Sequence, residues 1–236
     1  MKPYYEEAGI TIYNGDARDF GHLETEAIIT DPIWPNSIFG DEIDPKALLM
    51  ETLAFGNFPG CKRVAIHLGC DSDPRFLLAV PNRWPFFRVC WLDYALPSYK
   101  GRLLYGSDVA YLFGEPPPAD DGRFLIPGKC MAQRTGYKIQ REISSSYTGK
   151  SYTGGVGDKE RGHPCPRRIQ HVAWLVKHWS RQSVLDPFMG SGTAALACKR
   201  QGVHFTGIEI EERYCELAAK RLTQGVLDLQ ESETSV

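Results

Sequence analysis

Two acids in this chain stand at the ends of short apolar runs and are each followed at once by proline. The first is Asp31, in Thr30-Asp31-Pro32-Ile33-Trp34-Pro35-Asn36; the second is Asp186, in Asp186-Pro187-Phe188-Met189-Gly190-Ser191-Gly192-Thr193. At the first, Pro32 fixes its own φ and biases Asp31 towards an extended backbone, and Pro35 does the same to Trp34. An anionic acceptor, a rigid backbone carbonyl and a flat apolar ring are thereby held together, a set suited to a planar substrate that carries an amino group. Taken alone, these residues equally describe a strand followed by a proline-rich turn. At the second, the glycines permit a tight turn and close backbone approach, and the free amides at a following helix start favour an anionic group. Glu209 comes 23 residues after Asp186, where an acid at the next strand end can hold two ribose hydroxyls. Asp16 follows the turn signal Asn14-Gly15 and is a third candidate ligand-binding acid, with a turn carboxylate as its plainer reading. Gly190-Ser191-Gly192-Thr193-Ala194-Ala195 also fits the G-x-G-x-x-A dinucleotide fingerprint, so a dehydrogenase stays open at this point.

The elements that must carry these residues are legible in outline. Ile10 to Tyr13, Ala27 to Ile29, Val64 to Leu68, Phe87 to Leu92 and Ser107 to Gly114 read as strands, and Asp44-Pro45 as the cap and first turn of a helix. His67 falls inside a strand, where a hydrogen-bonded core histidine is the expected role. A helix follows His163-Pro164-Cys165-Pro166, with Ile169, Val172, Ala173, Val176 and Trp179 along one face. Ser183 to Asp186, Ala194 to Arg200, Val203 to Glu209 and Glu211 to Leu222 then make a β-α-β-α unit. The polar tail from Thr223 is expected to fray.

With 236 residues, 42% hydrophobic and 24% charged, the chain fits one large α/β domain with a small insertion. A net charge of -2 excludes a uniformly basic surface, so any nucleic-acid footprint is local. The seven cysteines are odd in number and form no C-x-x-C pair, which points to reduced thiols in the cytoplasm rather than to disulfides or zinc. No signal-peptide core or membrane span is evident, and the expectation is a soluble cytoplasmic protein. Three stretches emerge: 1–118, an insertion at 119–165, and 166–236. Between Gly122 and Arg168 there are ten Lys or Arg against three acids, interleaved with Tyr137, Tyr147 and Tyr152. Cations among aromatics can neutralise phosphates and stack on bases; a solvated insertion has the same composition.

Taken together, these motifs resemble the circularly permuted β-class DNA amino-methyltransferases, the adenine-N6 and cytosine-N4 enzymes. Asp31-Pro32-Ile33-Trp34 is similar to their D-P-P-Y/W motif, and Asp186 to Thr193 to their D-P-F-x-G-S-G-T loop. Gly207-Ile208-Glu209-Ile210 resembles the acidic motif that follows, Asn14-Gly15-Asp16 the H-G-D element, and His163-Pro164 the start of H-P-x-x-K-P. Ile33 stands where the second proline is usual, Arg167 near the usual lysine, and Asn14 in place of histidine. The resemblance implies a Rossmann-like methyltransferase fold, a mixed sheet of about seven strands with helices on both faces. It implies S-adenosylmethionine as cofactor, with Asp186, Phe188, Gly190, Ser191, Gly192 and Thr193 at the methionine end, Glu209 at the ribose, Asp16 at the adenine amine, and His163 nearby. Asp31, Pro32 and Trp34 would be catalytic, acting on a flipped adenine in double-stranded DNA. The insertion would read a short target, with Lys129, Arg134, Lys138, Arg141 and Lys150 on phosphates. An aspartate at 31, rather than a serine, favours adenine-N6. Cytosine-N4 or RNA adenine-N6 methylation, and an inactive cofactor- and DNA-binding module, are the alternatives; a homodimer and a restriction-enzyme partner are both compatible with the family.

Overall fold

A computed structural model of the chain describes residues 2–34, 43–56, 58–69, 72–100, 103–117, 128–132 and 167–233. Its elements in order are β1 (Tyr5–Glu7), β2 (Ile10–Asn14), β3 (Ala27–Thr30), α1 (Pro45–Phe55), β4 (Arg63–Gly69), β5 (Phe86–Lys100), β6 (Leu103–Gly114) and β7 (Lys129–Ala132). They continue with α2 (Ile169–Trp179), β8 (Ser183–Asp186), α3 (Thr193–Gln201), β9 (His204–Glu209) and α4 (Glu212–Glu233). The strands form one mixed sheet in the order β1-β2-β9-β8-β3-β4-β6-β5-β7.

Side chains alternate across this sheet, as the two-residue repeat of a strand requires. Ile28 and Val64 enter a core with Leu49 and Leu53 of α1, whereas Ile29 and Ala65 enter the opposite core with α2, α3 and α4. Strands buried on both faces read as unbroken apolar runs, which is why Ala27–Thr30 shows no polar alternation. Fully burying a side chain such as Ile28 or Leu53 contributes roughly 1.5–3 kcal/mol. α1 begins where expected: the Asp44 carboxylate accepts from the amides of Lys46 and Ala47 at 3.0 Å each, and Pro45 opens the first turn.

Among the described residues the sheet has nine strands against the seven or so expected. The polar edge strand β1 pairs antiparallel with β2, and β7, which lies inside the basic insertion, pairs with β5. Neither has an alternating apolar pattern, so neither announces itself in sequence. The tail also departs from expectation, since α4 runs on to Glu233 rather than ending at Leu222. At the other end of this region, α2 starts at Ile169 with Arg168 as its N-cap. Among the described residues no helix is long and apolar enough to cross a membrane.

The centre of the sheet decides where a ligand can bind. β3 and β8 are parallel neighbours, with Ile28 opposite Leu185. From β3 the chain passes through α1 to β4 on one side, and from β8 through α3 to β9 on the other. The strand order therefore reverses between β3 and β8, and the crevice outside their carboxyl ends is where doubly wound sheets bind ligands.

Candidate active site

Both proline-flanked acids lie at that crevice. Asp31 and Asp186 line one cleft with Thr30, Phe188, Met189, Gly190, Ser191, Thr193 and Arg167. The two strand ends are tied together, because the Thr30 hydroxyl donates to Asp186 Oδ1 at 2.7 Å. The same oxygen accepts from the Phe188 amide at 3.1 Å, so the acid shapes the loop that follows it.

The loop itself turns on two glycines with positive φ, Gly190 at 55° and Gly192 at 78°. Gly192 is also packed tightly: a Cβ there would lie 2.6 Å from that of Ala218 on α4. Glu209, at the end of β9, closes the turn by accepting from the amides of Gly190 and Glu211 at 2.8 Å each, one on each oxygen. A carboxylate has about four acceptor sites, so both oxygens retain capacity for a ligand. Arg221 of α4 pins the loop from behind, donating to the Ser191 carbonyl at 2.5 Å and to its hydroxyl at 3.0 Å.

Charge is unevenly distributed here. Asp186 is 5% exposed, and burial, opposed by the bonds from Thr30 and Phe188 and reinforced by the Asp31 and Glu209 carboxylates, pushes its carboxyl up to about 7. Burial raises Glu209 as well, against the backbone amides that lower it. Two buried acids at adjacent strand ends, Asp186 in the cleft wall and Glu209 beyond it, favour a ligand that brings a cation.

The other sequence candidates have diverse fates. Asp16 sits at the end of β2, where the Gly15 amide bonds the Glu209 carbonyl at 3.0 Å. Its carboxylate caps the turn at Ala17–Phe20 and grips Arg18 through Nε at 2.9 Å and Nη2 at 2.6 Å. That pairing holds it below its ordinary range, and neither Asp16 nor Glu209 is part of the cleft wall beside Asp31. Pro32 is buried and Trp34 half-buried. Lys129 is exposed on β7; His163, Arg134, Lys138, Arg141 and Lys150 lie outside the described residues.

Sequence reasoning missed what holds Asp31. Arg167 binds it with two parallel bonds, Nε to Oδ2 at 2.6 Å and Nη2 to Oδ1 at 2.9 Å, and Trp34 Nε1 donates to Oδ1 at 3.0 Å. The guanidinium also lies 4.0 Å over the Trp34 ring, a cation–π contact that covers one face of the indole. The third edge of Arg167 reaches Asp108 on β6, Nη1 to Oδ2 at 2.9 Å. The advance signals were Arg167, near the motif's usual lysine, and Asp108, an acid inside an apolar strand; that the two would meet depends on the sheet register.

Residues 120–220 match the family model of a DNA methylase, N6_N4_Mtase. Over this stretch, less than half of its length, the chain is similar to the N6/N4 DNA methylases. The matched stretch contains the Asp186 loop and Glu209 but not Asp31. The type II methyltransferase M2.DpnII of Streptococcus pneumoniae is 51% identical over 93 residues, 36% of this chain and 35% of that protein. M2.LlaDCHI of Lactococcus lactis subsp. cremoris is 33% identical over 96 residues, 38% of this chain and 36% of the relative. The chain thus spans about a third of the length of these relatives. Among solved structures, the M1.HpyAVI–SAM complex superposes with a TM-score of 0.63 at 20% identity, over 90% of this chain and 98% of the other. The cytosine-N4-specific PvuII DNA methyltransferase gives 0.60 at 12%, over 92% and 88%. At such identities the structural likeness concerns the fold alone, over about nine-tenths of the chain.

Proposed function

We propose that the chain transfers the methyl group of S-adenosylmethionine to the exocyclic N6 amine of an adenine flipped out of double-stranded DNA. The observation that carries this reading is the convergence of Asp31 and Asp186 on one cleft at the strand-order reversal, one beside an aromatic ring and the other heading a glycine loop. S-adenosylmethionine, when bound, supplies an electrophilic methyl group on a sulfonium. The site suits it: the charge of Asp186 is made costly by burial and, less, by its anionic neighbours, and the acid offers a place for the ammonium of a methionine moiety. Glu209 retains acceptor capacity for ribose hydroxyls, and the left-handed glycines let the loop backbone approach closely.

On the substrate side, an exocyclic base amine is a poor nucleophile because its lone pair is delocalised into the ring. Acceptors on its two N–H bonds, the Asp31 carboxylate and the Pro32 carbonyl, direct the lone pair at the methyl and stabilise the positive charge that develops on nitrogen. Trp34, half-buried beside Asp31, is the ring that would stack on the flipped base, recovering part of an unstacking cost of a few kcal/mol. An aspartate rather than a serine at 31 supports adenine-N6 over cytosine-N4. Residues 119–165 would supply target recognition, with Lys129 at the described edge, and a cytoplasmic enzyme working alone or beside a restriction endonuclease fits the type II relatives.

The test is transfer of labelled methyl to DNA, with nucleoside analysis of the product. The expected product is N6-methyladenine, with at least about a 100-fold loss in Asp31→Ala, the scale of removing a group that stabilises transition-state charge. Equal incorporation by both proteins would remove Asp31 from the mechanism, and methylcytosine would move the target to N4. Cofactor binding without turnover would mark an inactive module.

A further inference from the structure

Asp108 lies under the site without lining the cleft, and its surroundings are unusual for a carboxylate. It is 1% exposed, on a strand that has β4 on one side and β5 on the other. His67 Nε2 of β4 stands 3.1 Å from its Oδ2, which also accepts from Arg167 Nη1 at 2.9 Å and from the hydroxyl of Tyr94 on β5. Burial pushes its carboxyl up, but the His67 bond, the Arg167 charge and the Tyr94 hydroxyl outweigh that and hold it well below the ordinary carboxylate range. Asp108 is therefore a fixed anion anchored by three neighbouring strands. Arg167, by contrast, lies two residues ahead of α2 and is itself in neither helix nor strand.

A guanidinium is planar and rigid, so an edge fixed on one carboxylate fixes the direction in which the remaining N–H groups point. Here those groups are Nε and Nη2, and they point at Asp31. We propose that Asp108 is a positioning residue: acting through Arg167, and without touching substrate, it sets the plane in which the Asp31 carboxylate meets the target amine. The geometry also specifies the accepting atom. Among the described residues Asp31 Oδ1 takes two donors, Trp34 and Arg167, whereas Oδ2 takes one. Oδ2 is thus the oxygen that receives the amine N–H, with Arg167 still in place.

The inference rests on the methyl-transfer reading, and its test separates the two. Single-turnover methyl transfer and the Kd values for S-adenosylmethionine and for DNA are measured in wild type, Asp108→Asn, Arg167→Lys and the double variant, and hydrogen exchange at the Arg167 Nε–H by 15N–1H NMR in wild type and Asp108→Asn, which keep the guanidinium. Asp108→Asn should slow transfer about 10- to 100-fold, the scale of a displaced reacting group, while both Kd values stay within about twofold. Arg167 Nε–H exchange should quicken by about tenfold or more as the protecting geometry loosens. The double variant should be no slower than Arg167→Lys alone, because both changes act through one contact. A wild-type or faster rate in Asp108→Asn, or losses that multiply, would overturn the proposal. Should wild type transfer no methyl to DNA, the functional reading fails, and the exchange rate alone decides whether Asp108 holds Arg167. Should Asp108→Asn not fold, Tyr94→Phe removes one donor from Asp108 instead. A loss of about threefold with faster exchange is then expected, on the scale of one hydrogen bond, and unchanged values overturn the idea.

Discussion

Asp186→Asn should make the ligand-free protein more stable while weakening the proposed cofactor site. The substitution keeps the shape of the side chain and an oxygen that can accept from Thr30 and from the Phe188 amide, but removes the charge. Burial moves the wild-type carboxyl from an ordinary 3.8 to about 7 in the folded protein, while the unfolded chain titrates near 3.9. Between roughly pH 4 and 7 the folded state therefore holds the extra proton, and stability falls as pH rises through that window before levelling off. At 1.36 kcal/mol per tenfold, the charged form at pH 8 carries a penalty of about 4 kcal/mol. The neutral amide escapes it, so the variant should exceed wild type in stability by about 2–4 kcal/mol at pH 8 and match it near pH 4. Urea unfolding at the two pH values reads this directly. Calorimetry should show S-adenosylmethionine affinity of wild type rising by up to about tenfold per pH unit below 7, as a cationic ligand selects the ionised acid. In the variant that affinity should be weaker by about 30-fold or more and flat with pH, the loss of a charge-assisted bond. A variant less stable than wild type at pH 8, or a stability gap identical at both pH values, would refute the account of Asp186.

Gly192→Ala combines a left-handed φ with a Cβ that would meet Ala218 at 2.6 Å; a loss of about 1–3 kcal/mol is expected in thermal unfolding, and an unchanged midpoint would mean that the loop tolerates repacking. Trp34→Ala should leave S-adenosylmethionine affinity intact but reduce the fluorescence change of 2-aminopurine placed at the target position, since it removes the ring proposed to stack on the flipped base; an unaltered signal would assign stacking elsewhere. Neutralising Lys138, Arg141 and Lys150 together should lower the slope of log affinity for DNA against log salt by up to about 3, near 0.9 per phosphate contact, and an unchanged slope would place phosphate contacts on another surface.

Much of the site could be read in advance because its parts are local. Asp31 with its prolines, the glycines after Asp186, and Glu209 at a strand end are each set by a few consecutive residues, whose backbone preferences do not depend on distant contacts. The central parallel strand β3 was visible as an unbroken apolar run. The edge strands β1 and β7 were not, since an edge held mainly by backbone bonds leaves little trace in side-chain pattern. Asp16 lies at the expected strand end, and Arg18, two positions on, engages its carboxylate, a pairing the motif does not specify.

Sequence by itself determined that the chain is an α/β protein with an acid-proline-aromatic loop and an acid-headed glycine loop, because both are written in contiguous residues. Only the tertiary structure decided that the two loops share a cleft. That outcome requires β3 and β8, more than 150 residues apart in the chain, to lie side by side. The support of Asp31 is likewise a product of the fold: Arg167, Asp108, His67 and Tyr94 come from four separate segments, and pairing register, which a linear pattern does not encode, brings their charges within bonding distance.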